Sequence, residues 1–307
     1  MGNVVWQGRF DGEDALYNRI FQRVKLIENL DSVSTKNFVL QGFAVDEGVR
    51  RNKGRVGAKD APDSIRKNMA NFPVINTEFS LLDLGNIECE DGNLEESQNQ
   101  LAQKVKVILS KGAKSVVLGG GHEVTFAHYS GVKRAFSNQK IGIINFDAHF
   151  DNREPEKKVG ASSGTGFWQI AQEGDIHSLH IGIQKNSNTL KLFDIAHQFG
   201  MKYILSDEIF FENLPSIYQK LNDFINEADV LYITICMDVF NASIAPGVSA
   251  SAYNGIFADA AFMHIYKHIL RSEKLKALDV AEVNPTYDLQ ERTSRLAASL
   301  MNEWLMI

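Results

Sequence analysis

The run Val230-Leu-Tyr-Ile-Thr-Ile-Cys236 is apolar or β-branched throughout, with no alternation of polar and apolar positions. A strand with one solvated face alternates. A run that does not alternate needs cover on both faces, the condition met by parallel strands sandwiched between helices. Similar runs recur at 38–44 (FVLQGFA), 80–84, 115–118, 141–146 (IGIINF), 178–183, 202–205 and 277–281. Helical patterns fall between them, at 95–111, 123–136, 214–227 and 257–272, with Gly and Asn at the joins. Alternating β and α of this kind predicts an open parallel sheet with helices on both sides. No composition break, internal repeat or low-complexity segment divides the chain, so one domain over 1–307 is expected.

A chain of 307 residues can bury roughly 75% of its unfolded surface without staples. Its 32 basic and 38 acidic residues leave a formal charge of −6 with no basic block, which argues against nucleic acid and anionic membranes as partners. Two cysteines, Cys89 and Cys236, imply no disulfide framework. Residues 1–6 carry neither the charged and apolar regions of a leader nor a myristoylation signal. No apolar run reaches the roughly 18 residues that span a bilayer. A cytoplasmic protein is expected.

Chemistry gathers where strands end, which is where open α/β sheets bind ligands. Asn145-Phe-Asp-Ala-His-Phe-Asp-Asn-Arg153 sets Asp147, His149 and Asp151 two residues apart. In extended chain that spacing points all three one way. Two carboxylates and an imidazole on one point suit Mn²⁺, Zn²⁺ or Fe²⁺. A second cluster is Gly119-Gly-Gly-His122-Glu123, whose glycines permit a backbone-close turn carrying His122 over the sheet edge, and which reads equally as a plain strand-to-helix turn or half of a phosphate loop. It lacks the spacing of a dinucleotide fingerprint or P-loop. The third is Cys236-Met-Asp238, whose ends share a face by the same period, followed by Ala245-Pro-Gly247. The fourth is Glu282-Val-Asn-Pro285, after the last strand.

The set G-G-G-H, D-A-H-x-D, x-x-D with A-P-G, and E-V-N-P resembles the ureohydrolases: arginase, agmatinase and formimidoylglutamase. The resemblance runs over about residues 35–305, leaving an N-terminal extension of about 1–34. Trp6-Gln-Gly-Arg9, residues 51–59 (RNKGRVGAK), Ser162-Ser-Gly-Thr165 and residues 239–250 look most like formimidoylglutamase. The resemblance implies a single three-layer α/β domain with an eight-stranded, mostly parallel sheet, a binuclear centre usually of Mn²⁺, and homo-oligomers. It also implies that one metal takes His122, Asp147, Asp151 and residue 236, and the other Asp147, His149, residue 236 and Asp238. The family motif reads Asp-x-Asp at the third strand end, and here Cys236 stands at the first Asp. A thiolate there favours Zn²⁺ or Fe²⁺; the alternatives are a protonated Cys236 with one site weak or empty, or a plain buried thiol.

Two such metals would hold a hydroxide at neutral pH, able to attack an amidine carbon. Glu282 is expected to face the amidinium, and Asp151 to relay a proton to the leaving amine. The histidine shuttle of some relatives is missing, because Thr165, Gly166 and Phe167 follow Ser163-Gly164. Arg153 is expected to grip a substrate carboxylate, with Asn152 beside it and Arg51, Lys53 and Arg55 as a second basic group. The leading expectation is hydrolysis of N-formimidoyl-L-glutamate, a small anionic amino-acid derivative, to L-glutamate and formamide in histidine breakdown. A guanidino substrate releasing urea is a second reading, and a metal-depleted binding subunit a third. His264 and His268 read as an exposed helix face, His128, His177 and His180 receive no role, and Cys89, flanked by acids, reads as inert.

Overall fold

In the computed structural model, which describes residues 6–76, 78, 80–174 and 176–307, the apolar runs become strands of one sheet. They are β1 (Lys25–Leu26), β2 (Phe38–Ala44), β3 (Leu81–Glu88), β4 (Lys114–Leu118), β5 (Ile141–Phe146), β6 (His177–Ile183), β7 (Lys202–Leu205), β8 (Val230–Cys236) and β9 (Leu275–Ala281). Their order is β1-β3-β2-β4-β9-β8-β5-β6-β7, and every pairing is parallel. The sheet is nine-stranded rather than eight-stranded. The extra strand is the two-residue β1, which joins the edge beside Leu82 and Asp83. The segment before residue 35, expected as an extension, packs on the body: Ile20 is in the core and the Trp6 indole donates to Asp83 at 2.8 Å. Met1 to Val5, read above for leader signals, lie outside the described residues.

The helices are α1 (Ile20–Arg23), α2 (Glu47–Arg51), α3 (Ala61–Met69), α4 (Leu94–Ser110), α5 (Val124–Ala135), α6 (Gly166–Gln172), α7 (Leu190–Gln198), α8 (Leu214–Glu227), α9 (Ala260–Leu270) and α10 (Arg292–Leu305). β8 shows why its run is continuous. Leu231, Ile233 and Ile235 enter a core shared with residues of α3, α8, α9 and α10. Val230 and Tyr232 enter a second core with α4, α5, α6 and α7. Each face has its own oil, so neither tolerates a polar alternation.

From β5 the chain steps outward through β6 to β7 at one edge, then returns to lay β8 beside β5 and β9 between β8 and β4. The connections leaving β5 and β8 therefore run in opposite directions, which makes their junction a topological switch point with a crevice at the carboxyl ends. The four polar clusters all stand at the carboxyl ends of those four central strands, β4, β5, β8 and β9.

A buried ion pair ties α3 to β3. Arg66 of α3 and Asp83 of β3 are both fully buried, joined through Nε–Oδ2 at 2.9 Å and Nη2–Oδ1 at 2.8 Å. The fork geometry satisfies both carboxylate oxygens, which is what allows such a pair in the interior.

Candidate metal centre

The loop after β4 brings the chain back so tightly that Gly120 has no room for a side chain. A Cβ there would lie 1.8 Å from the Val45 carbonyl oxygen. This close approach sends His122 under the sheet end just before α5 begins. Its backbone N–H donates to Glu282 Oε1 at 3.0 Å, so the second and fourth clusters are tied directly.

The Asp147–Asp151 stretch converges, though not as extended chain. β5 stops at Phe146, residues 148 and 149 bend, and Asp151 takes a positive φ of 45°. The bend is fixed by the Asp147 carboxylate, whose Oδ1 accepts the His149 backbone N–H at 2.8 Å, a local side-chain turn of the kind Asp favours. Likewise Asp238 does not share a strand face with Cys236, because Met237–Val239 is a 3-10 turn. Glu282 also sits at positive φ, 67°. Turns, rather than the strand period, aim these groups.

Two donor sets result. Ligand atoms of His122, Asp147 and Cys236 lie within 4.8 Å of one another, and so do those of Asp147, His149 and Asp238. Asp147 belongs to both. Asp151 joins the first set, its Oδ2 lying 2.8 Å from His122 Nδ1, with Asp147 Oδ2 at 3.1 Å from the same nitrogen. In the second set His149 Nδ1 is 3.2 Å from Asp238 Oδ2.

The electrostatics of this cluster without a cation are those of crowded acids. Burial and then the Asp147 charge raise Asp151 and push Asp238 up to about 6. Burial, with Glu123 and Asp238 behind it, pushes Glu282 up to about 8. The Cys236 thiol is driven well above its usual range by burial and by Asp147, Asp238, Glu282 and Asp151. Both imidazoles move up as well: burial opposes their charge but is outweighed by Asp147 and Asp151 at His122, and by Asp238 and Asp147 at His149. Asp147 alone is held below its ordinary range, against its burial, by those two histidines.

The donors fit a pair of divalent cations. Asp238 Oδ1 is buried with no hydrogen-bond partner, and the repulsion that lifts the carboxyls and the thiol is what positive charge at their centre would relieve.

The expected substrate groups separate in the structure. Arg153 stands exposed two residues beyond Asp151. Its backbone is pinned to the Gly164 carbonyl at 3.1 Å, and its Nη1 lies 3.4 Å from Asn52 Oδ1. Asn52 in turn donates to Ser163 Oγ at 3.1 Å. Asn152, expected beside it, turns inward: it is fully buried and its amide donates to the Leu192 carbonyl at 3.0 Å. Arg51 is a second correction. Its guanidinium is taken up by Glu47 at 3.0 Å and Glu95 at 2.6 Å and by the carbonyls of Gly92 and Ala161, so it locks α2 to α4 instead of offering a fork to a ligand. Lys53 is exposed in the turn after α2, at φ 60°. Arg55 binds the Val248 and Ser249 carbonyls and lies over the Tyr287 ring at 4.5 Å. Thr165, at the end of the Ser-Gly turn, spends its hydroxyl on Ser162 and Gln169.

Residues not singled out in the sequence support the ligands. Asn145 reaches Asp147 Oδ2 at 3.4 Å and His180 Nδ1 at 3.1 Å, and His180, pushed down to about 3 by burial, stays neutral. Thr234 meets His122 Nε2 at 3.0 Å. Asn145 and Thr234 are polar residues inside the otherwise apolar runs of β5 and β8, which is the signal they gave, whereas His180 shares β6 with His177 and Ser178.

A parallel sheet with two acid–imidazole donor sets meeting on one shared carboxylate at its switch point defines a metal-hydrolase type of site. The chain belongs to the arginase family, whose model matches residues 36–307. A protein named formimidoylglutamase from Clostridium tetani is 43% identical, covering 95% of this chain and 91% of its own. One of the same name from a Geobacillus strain is 41% identical, over 98% and 94%. Among solved structures, a Trypanosoma cruzi formiminoglutamase with two Mn²⁺ superposes with a TM-score of 0.80 at 25% identity, over 91% of this chain and 95% of that one. The formimidoylglutamase of Bacillus subtilis shares the fold at a TM-score of 0.86, over 96% and 93%. No helix among the described residues is long and apolar enough to cross a membrane.

Proposed function

We propose that this chain hydrolyses N-formimidoyl-L-glutamate to L-glutamate and formamide, as the names of its full-length relatives suggest. The observation that carries the reading is the pair of donor sets sharing Asp147, with the exposed Arg153 two residues beyond Asp151. His122, Asp147, Asp151 and Cys236 would hold one cation, and Asp147, His149, Cys236 and Asp238 the other. Two Mn²⁺ are the expected occupants, with Cys236 narrowing the preference for Mn²⁺ over the softer Zn²⁺ and Fe²⁺. When bound, such a pair supplies Lewis acidity and lowers the pKa of a water molecule.

The chain's own residues do the rest. Water oxygen bonds to the formimidoyl carbon, the bond from that carbon to the glutamate nitrogen breaks, and that nitrogen gains a proton. Asp151, beside His122 in the first donor set, is placed to take the proton from the attacking water and return it to the leaving amine. Glu282 faces the amidinium; its backbone tether to His122 keeps its position tied to the donor cluster. Arg153 holds a substrate carboxylate, with Asn52 and Ser163 setting its reach. A substrate with two carboxylates is preferred there over cationic agmatine. Homo-oligomer assembly and a cytoplasmic location go with this reading.

The test is a substrate panel on Mn²⁺-loaded protein: N-formimidoyl-L-glutamate, L-arginine and agmatine, with formamide and urea both assayed. Formamide from the first substrate alone supports the proposal. Urea from a guanidino substrate at a comparable kcat/KM would replace it.

A further inference from the structure

The far side of His122 leads into a polar chain between the sheet and α5 that the reaction does not use. His122 points Nδ1 at the donor cluster and Nε2 at Thr234 Oγ1, 3.0 Å away. Thr234 Oγ1 lies 2.6 Å from Asp279 Oδ1. The other oxygen of Asp279 meets the Tyr232 hydroxyl at 2.5 Å and His128 Nδ1 at 2.7 Å. His128 Nε2 ends the chain on Ser115 Oγ at 3.0 Å. Ser115, Thr234 and Asp279, with Tyr232 and His128, are all fully buried, and Thr125 Oγ1 adds a contact to Thr234 at 3.0 Å.

Hydrogen-bond bookkeeping selects one arrangement. A carboxylate can only accept, so Thr234, Tyr232 and His128 each turn a proton toward Asp279. With its own proton committed, Thr234 Oγ1 has only lone pairs left for its other neighbours. It therefore accepts from His122 Nε2–H and from the Thr125 hydroxyl. His128, protonated on Nδ1, accepts at Nε2 from Ser115. Every one of these buried groups is satisfied, and the tautomer that His122 takes on shedding a proton to ligate follows: Nε2 keeps its hydrogen and Nδ1 presents its lone pair to the cluster.

We infer that Asp279 is a positioning residue for the metal centre, acting through Thr234 to fix the tautomer and ring orientation of His122. The inference rests on the metal reading above and not on the choice of substrate. Histidine ligands held by a carboxylate or its relay commonly lose about 10–100-fold in metal affinity when that support is removed. The ordering also explains why an apolar strand core contains Asp279 at all. An acid between β8 and α5 would be a liability if it supported nothing beyond packing.

The test uses the full chain stripped with chelator and titrated with Mn²⁺ alone, the affinity of each site being read by calorimetry and by the Mn²⁺ spin-resonance signal. Thr234→Val keeps the shape and removes the relay; Thr234→Ser keeps the hydroxyl. Asp279→Asn breaks the acceptor. The expected results are a loss of about 10–100-fold at one cation site in Thr234→Val and Asp279→Asn, near wild-type binding in Thr234→Ser, and no further loss in the double variant, because both changes cut one chain. If Asp279→Asn does not fold, Thr234→Val against Thr234→Ser carries the comparison. A purely structural role would lower the unfolding midpoint of the metal-free variants while leaving both Mn²⁺ affinities unchanged, and that result would overturn the inference. Wild-type protein that binds no Mn²⁺ would remove the metal reading and this inference together, whereas failure of the substrate panel alone would leave the inference standing.

Discussion

Loading the centre with two cations at pH 7 should release about three protons per chain. His122 and His149 are held protonated in the metal-free protein by Asp147, Asp151 and Asp238 acting against burial, and each must shed a proton to ligate. Cys236, driven well above the usual thiol range by burial and four carboxyls, must shed a third if it ligates as thiolate. Asp238, at about 6, adds only a fraction. With three protons displaced, the overall loading constant rises about a thousandfold per pH unit near neutrality, which is about 4 kcal/mol per unit. Calorimetric titration with Mn²⁺ or Zn²⁺ in buffers of different ionisation enthalpy counts the protons directly. Cys236→Ala should release about two, because the thiol is gone while both imidazoles remain. Equal release from wild type and Cys236→Ala would show that the thiol stays protonated and is not a ligand. Loading with no proton release would refute the charge picture of the whole cluster.

Other consequences are as direct. Metal-free protein should lose stability as pH rises from about 5 to 8. The groups raised in the fold (Glu282 to about 8, Glu123 to about 7, Asp238 to about 6 and both histidines) hold protons that the unfolded chain has given up. Each extra proton costs about 1.4 kcal/mol per pH unit, so thermal midpoints against pH, with and without cation, read the sign; a rise over that window would be the wrong sign. Glu282→Gln keeps an acceptor for the His122 N–H and should lower kcat/KM by about 10²–10³-fold, the scale of one lost charge-stabilising group, with folding unchanged by circular dichroism. Arg153→Ala should raise KM for N-formimidoyl-L-glutamate by at least about tenfold, the scale of a lost charge-assisted contact, whereas Arg51→Ala should act on stability through the Glu47–Glu95 lock. Arg66→Ala leaves Asp83 buried without its partner and should cost about 3–5 kcal/mol in denaturant unfolding.

The strands were legible because both faces of the sheet are apolar: 38–44, 141–146, 202–205 and 230–236 are β2, β5, β7 and β8 to the residue. β1 was not, since two residues at a sheet edge carry no periodicity. The chemistry was legible in residue type and spacing, because strand-end turns demand glycine and polar groups that stand out against apolar runs. Its geometry was not. Asp147, His149 and Asp151 meet through a bend that Asp147 itself makes, and a period of two cannot reveal that. Asn152 and Arg153 are neighbours in sequence that point to opposite environments. Arg51 is claimed by Glu95, 44 positions away, which no local pattern shows. Asp279 and Thr234 gave only the signal of a polar residue inside a strand, and only the fold says what they face.

The most direct measurement is turnover of N-formimidoyl-L-glutamate by chelator-stripped protein before and after adding back Mn²⁺, Zn²⁺ or Fe²⁺, with cations per chain counted in the same samples. The account predicts negligible formamide from the stripped protein and restored release as two cations bind. Full turnover in the stripped protein, or two bound cations with no formamide from any of the three metals, would contradict it.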